Sequence, residues 1–306
     1  MTRDLNRREL LLRSAATLVA ALARGRNLYA AASAKTAPDQ WVHPGVFQRR
    51  SDLAFMKAQV LAGHDPWKTA WDQMLALPTS SSMDFDPNPF THIVRGSYGA
   101  GQRGDRELNE SLEAAESHVL QWVVTEREEH ARKSADILDA WAATLADFSG
   151  NDAMLLGGWT GGKWANVAEI LRATWPGWQR DRVRRFEHML KTVYVSMLTP
   201  FFPEANGNWD AALMHSLLAI AVFCEDRPLL DHVVKHYRFG SGSSGITRYV
   251  YPNVNARRAT ETRRTRNWVL ATSPLRVLLR GTKALTCSPR RAIGLCWGSN
   301  TQRAIC

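Results

Sequence analysis

Residues 179–198 read QRDRVRRFEHMLKTVYVSML. Val183, Phe186, Leu190 and Val193 recur there in steps of three and four, which is one face of an α-helix. Charged and polar side chains fill the positions between them. An amphipathic helix of this length must lay its apolar face on something, so its neighbours decide the fold.

Those neighbours have the same character. Upstream, the spacing predicts helices over 107–125 (Leu108, Leu112, Ala115, Val119, Trp122), 129–146 (Ala135, Leu138, Trp141, Leu145) and 163–174. Downstream it predicts helices over 209–225 and 228–238. Nearer the start, Ser51-Asp52 can cap a helix carrying Leu53, Met56 and Val60, and Pro66 opens a second with Trp67, Trp71, Met74 and Leu75. The stretch 78–104 is rich in Pro, Ser, Gly and Asn and reads as a long loop of the kind that often carries function. Convincing β-alternation is confined to the short run Ile246–Tyr251. Helix follows helix through short connections, so neighbours are expected to be antiparallel. The fold class is all-α. An (α/α) toroid of antiparallel hairpins is expected, with an irregular bundle as the alternative that periodicity alone does not separate.

The totals bound the function. A chain of 306 residues, 45% hydrophobic and holding 12 Trp, is globular material. Its formal net charge of +10 invites a nucleic-acid reading, but the distribution argues against one. Residues 253–306 alone contribute +10, through ten Arg and one Lys against the single acid Glu261. The first 34 residues contribute +4, which leaves 35–252 at −4, a slightly acidic globule. The four Cys form no paired framework and no thiol metal-site spacing, and Cys224, in an apolar helical run, is expected to be a buried free thiol.

The first 34 residues read as an export signal. Arg7-Arg8 precede the short, weakly apolar run Ser14–Ala23, and Ala32-Ser33-Ala34 offers a small-residue cleavage site. Paired arginines in that position look like a twin-arginine signal and imply a periplasmic or secreted protein. The run is too short to span a bilayer, and no later one is long and apolar enough, so no stable membrane insertion is expected. Residues 35–252 then form one domain and 253–306 a basic tail.

Within that domain four short motifs occur in order: His43-Pro44-Gly45-Val46-Phe47, Asp139-Ala140-Trp141, Lys163-Trp164-Ala165-Asn166-Val167-Ala168-Glu169 and Asn206-Gly207-Asn208-Trp209-Asp210. Together, over about 41–252, they resemble the alginate-lyase family. That resemblance implies a helical toroid with a groove for an anionic uronate polymer, cut by β-elimination. The chemistry must neutralise the uronate carboxylate, remove the C5 proton and protonate the departing 4-oxygen. Amides and Arg suit the first task, and Tyr or His the other two; no metal or other cofactor is needed in principle.

Asn208 is the candidate carboxylate contact, at the entry to helix 209–225, where it could equally cap the helix. His215 lies seven residues on, two turns along the same face, and could reach the groove or be a structural His. Tyr251, with Tyr249, is a possible proton carrier or strand packing. Candidate substrate contacts are Lys163, Asn166, Asn206, Trp209 and Asp210. Each has a plainer reading: a solvated Lys163, a core amide at Asn166, core packing for Trp209, and a first-turn dipole partner in Asp210. The family's usual pattern has His directly after the Asn, then Arg and Tyr. Trp209 follows Asn208 here, so alginate is the default substrate and another uronate polymer the competitor.

After Asn253 the helical pattern stops and Arg is scattered among Cys and Pro. Degenerate codons for this tail, read one base earlier, can spell GQCQESDRDAAH and further helical, family-like stretches. A frameshift is therefore expected, leaving the toroid incomplete, the family's Arg and His absent and activity impaired. Neither Arg257 nor Arg263 replaces them. The function expected is a polysaccharide lyase; the alternative is a non-catalytic periplasmic glycan-binding protein. Oligomeric state is not legible.

Overall fold

The computed structural model describes residues 41–96, 101–201, 207–241 and 245. The expected export signal, Asn206, the run Ile246–Tyr251 with both tyrosines, and the tail 253–306 lie outside the described residues. All the described helices belong to one compact unit that begins at Val42.

The elements in chain order are α1 Arg50–Leu61, α2 Trp67–Leu75, α3 Pro78–Ser81, β1 His92–Val94, α4 Asp105–Thr125, α5 Glu128–Thr144, β2 Asp147–Ser149, α6 Ala153–Thr174 and α7 Arg180–Met189. A π-helical turn, Leu190–Val195, and the short α8 Ser196–Leu198 continue α7, and α9 Gly207–Phe223 and α10 Arg227–Phe239 complete the set. The class is mostly helical, as expected. The one addition is an open two-stranded sheet, in which His92, Ile93 and Val94 pair in parallel with Asp147, Phe148 and Ser149. Strands of three residues are too short to show alternation. The 78–104 stretch is therefore not all loop: it carries α3 and β1, with Ile93 fully buried.

Asp52 stabilises the start of α1 by accepting the backbone N–H of Arg49 at 3.0 Å. Three later helices run the same way, side by side. Gly158 of α6 faces Ala212 and Leu213 of α9, and Gly162, one turn on, faces His215 and Ser216, so the two helices advance together. On the other flank of α6, Trp122 of α4 donates to Thr174 Oγ1 at 3.1 Å, while Glu116 faces Lys163, again in parallel order. Each of the three is answered by an antiparallel helix. Ser134 of α5 donates to the Ala115 carbonyl of α4, Arg172 of α6 pairs with Glu187 of α7 while Gly157 of α6 faces Met197 of α8, and His236 of α10 pairs with Asp210 of α9. The result is a row α4–α6–α9 with a second row of return helices. These are helical hairpins packed side by side.

The row closes tightest between α6 and α9. The Ser216 hydroxyl donates to the Gly158 carbonyl at 2.8 Å and accepts the Gly162 N–H at 2.7 Å, entering the backbone ladder of α6. Such an approach needs glycine, and it explains why α6 starts at Ala153 and not near 163. The run Gly157-Gly158…Gly161-Gly162 reads locally as a breaker, but backbone-to-backbone packing overrides propensity. A Cβ on Gly158 would stand 2.9–3.1 Å from Ala212 and Leu213, mostly main chain that cannot yield. Gly158→Ala is expected to destabilise by about 1–3 kcal/mol. At Gly157 the near neighbour is the flexible end of Met197. Gly157→Ala should therefore be close to neutral or gain up to about 1 kcal/mol of helix propensity. Urea unfolding of both variants measures the contrast; equal midpoints would contradict it.

Cys224 is a free thiol but only half-buried, short of full burial, and its thiol is pushed up to about 12 mainly by its low-polarity surroundings. Among the described residues no helix is long and apolar enough to cross a membrane.

Candidate functional site

One face of the α4–α6–α9 row carries a strip of polar side chains. Lys163 of α6 stands at its centre, with Glu116 of α4 on one side and His215 of α9 on the other, both within electrostatic reach. Glu116 and His215 each keep some solvent-exposed surface, and Lys163 between them is exposed. Glu113, one turn before Glu116, accepts the Thr79 hydroxyl at 2.6 Å.

The surroundings tune these groups. Burial raises the Glu116 carboxyl, Lys163 opposes the shift and Glu113 adds to it. Burial lowers His215 to about 4 and Lys163 lowers it further, so its imidazole is neutral over most of the pH range. The ring is also fixed in place. Phe47 stacks on it at 4.6 Å between centroids, and its Nδ1–Cε1 edge packs against α6 at Gly162.

Asn208 is half-exposed in the first turn of α9, which begins at Gly207, so it is not the cap residue. It shares the helix face of His215. The first-turn amides of a helix favour a bound anion there. Trp209 is half-exposed as well.

Two other candidates point elsewhere. Asp210 is fully buried and accepts from His236 Nε2 at 2.8 Å, with Phe201 stacked on that imidazole at 3.5 Å. It secures α9 to α10 and orients the first turn from behind. Asn166 is 3% exposed, its amide oxygen without a partner among the described residues, so it sits in the core and not in the strip.

Sequence reasoning missed Glu116 and Trp159. Trp159 is 37% exposed on α6, one turn before Lys163. Its four-residue spacing from Lys163 was a usable signal; Glu116 depends on lateral packing that no local pattern reports. Among the described residues no group of three His, Cys, Asp or Glu is placed to hold a metal ion.

At the far end of the row, fully buried Glu169 accepts from His43 Nδ1 at 2.6 Å, the Gly45 N–H at 2.9 Å and Arg172 at 2.8 Å. His43 Nε2 also donates to Glu225 at 3.0 Å. The bond to Glu169 raises the His43 imidazole above its ordinary value, against burial and the nearby Arg172.

The protein-family model described as Alginate lyase matches residues 100–248. That span is shorter than the motif resemblance and leaves out His43–Phe47, but it holds every strip residue of α4, α6 and α9. Over this segment the chain resembles a family of polysaccharide lyases, which carries enzymatic potential and a polysaccharide substrate at family level. A search of curated proteins finds no match.

Proposed function

We propose, from the alginate-lyase resemblance over residues 100–248, that this protein cleaves a uronate-containing polysaccharide by β-elimination along the Lys163 strip. The observation that carries the reading is the strip itself: an ammonium, a neutral imidazole and a helix N-terminus share one face of the helix row inside the matched span. Asn208 and the first-turn amides of α9 neutralise the substrate carboxylate as charge develops on the enediolate. Lys163 holds the polyanion. His215 accepts the C5 proton, and a bound carboxylate makes it a stronger base by offsetting Lys163. Tyr251 is the candidate proton donor to the 4-oxygen. Asn206 and Trp209 contact the polymer from the entry to α9, and Asp210 acts through its position behind that turn. Alginate is the default substrate and another uronate polymer the competitor. The paired arginines support export to the periplasm.

The altered frame after Asn253, with the loss of activity it entails, belongs to the same proposal. Its support is the charge shift and the end of helical periodicity there. Sequencing the DNA across codons 250–306 tests the frame directly. The activity test incubates equal amounts of soluble, folded protein from each frame with alginate and with a polyglucuronate, and follows ultraviolet absorbance of unsaturated ends. Product from the alternative frame and little from the 306-residue chain is expected. Equal rates would remove the frame argument, and binding by both without product would favour a glycan-binding protein.

A further inference from the structure

Between Leu155 and Leu171 every residue of α6 is buried except two, Trp159 and Lys163. The helix is packed by α4 on one flank and α9 on the other, so these two mark its only solvent-facing line over that stretch. They lie one turn apart, about 5–6 Å between Cβ atoms, comparable to the width of a pyranose ring. One is an indole with 37% of its surface exposed. The other is an ammonium facing Glu116 and His215 at a range too long for a salt bridge among the described residues.

We infer that Trp159 and Lys163 form a single sugar subsite, in which the indole packs on the apolar C–H face of one hexuronate ring and the ammonium pairs with that ring's carboxylate. The inference rests on the polysaccharide reading above and adds the residue that recognises the ring. The two contacts divide the recognition. Stacking is indifferent to the carboxylate, because any pyranose with an apolar face offers it. The ammonium discriminates uronate from neutral sugar, and more so at low salt. Glu116 is the carboxyl group that Lys163 faces in the free protein; burial raises it and Lys163 opposes the shift.

The test is calorimetric titration with a mannuronate tetramer and its carboxyl-reduced, neutral counterpart, at low and high salt. Trp159→Ala should weaken both ligands about five- to tenfold, and Trp159→Tyr should restore most of the loss. Lys163→Gln should weaken only the charged tetramer, about three- to fivefold, and remove most of its salt dependence. Wild-type binding that Trp159→Ala and Lys163→Gln both leave unchanged would overturn the subsite while leaving the lyase reading standing. If wild type does not bind the charged tetramer and the protein of neither frame forms product from any uronate polymer, the lyase reading falls and the subsite with it. Should Trp159→Ala fail to fold by circular dichroism, Trp159→Tyr and Lys163→Gln carry the decision.

Discussion

His215→Ala will lower the rate of unsaturated-product formation by about 10²–10⁴-fold in whichever frame turns over polymer, the usual worth of a positioned acid–base group. The argument is geometric before it is electrostatic. Phe47 and the backbone at Gly162 hold the imidazole in one orientation, so truncation removes a placed group and not a mobile one. Polymer affinity should change much less, because the contacts assigned to binding are at Trp159, Lys163 and Asn208. The pH profile separates this role from a merely structural one. His215 sits at about 4 in the free protein and must be neutral to accept a proton. The ascending limb of kcat/KM should therefore lie near pH 4, well below the ordinary histidine range. Lys163→Gln should move that limb upward, since Lys163 is one of the groups holding the imidazole down. An unmoved limb, or full activity in His215→Ala, would reassign the base.

The second large effect concerns stability. Glu169→Ala should cost about 3–5 kcal/mol, read as a drop in the urea midpoint. The carboxylate is fully buried and accepts from three donors, so its loss strands the His43 ring, the Gly45 N–H and Arg172 together. Arg172 retains Glu187 and the face of Phe223, 4.5 Å away, which softens the loss without replacing it. His43 adds a pH signature. Its folded-state value is raised above 6.5, so its contribution is fully present below that pH and is lost as pH rises through the raised value. Wild-type stability should decline over that window. Glu169→Gln should flatten the decline while folding at low pH; a slope unchanged in that variant would show that another group is responsible.

The helices were legible where one apolar face meets one neighbour. Val183, Phe186 and Val193 are all buried as their spacing predicts. Legibility failed at α6, which is buried on nearly every side and has no amphipathic stripe to read. Its glycines looked like punctuation because the reason for them, the main chain of α9, lies about 54 residues away in sequence. The site divides in the same way. Asn208 and His215 share a helix face that simple counting reveals, and Lys163 joins them through the α6–α9 seam. Asp210, two residues from Asn208, looks equally available in sequence but points into α10, and only the partner His236 shows it. Asn166 shares a motif with Lys163 but not its face. Glu116 comes from a helix whose lateral placement depends on the whole row.

The seam between α6 and α9 also constrains how this protein can change. Its width is set by main chain against main chain, with a serine hydroxyl bridging the two, so there is almost no side chain to trim or enlarge. Drift by single substitutions cannot gradually widen or narrow the gauge between Lys163 and His215. Variants that accept thicker or branched polymers should therefore carry their changes on α4 and in the segments leading into the three parallel helices, while the glycine rail stays as it is.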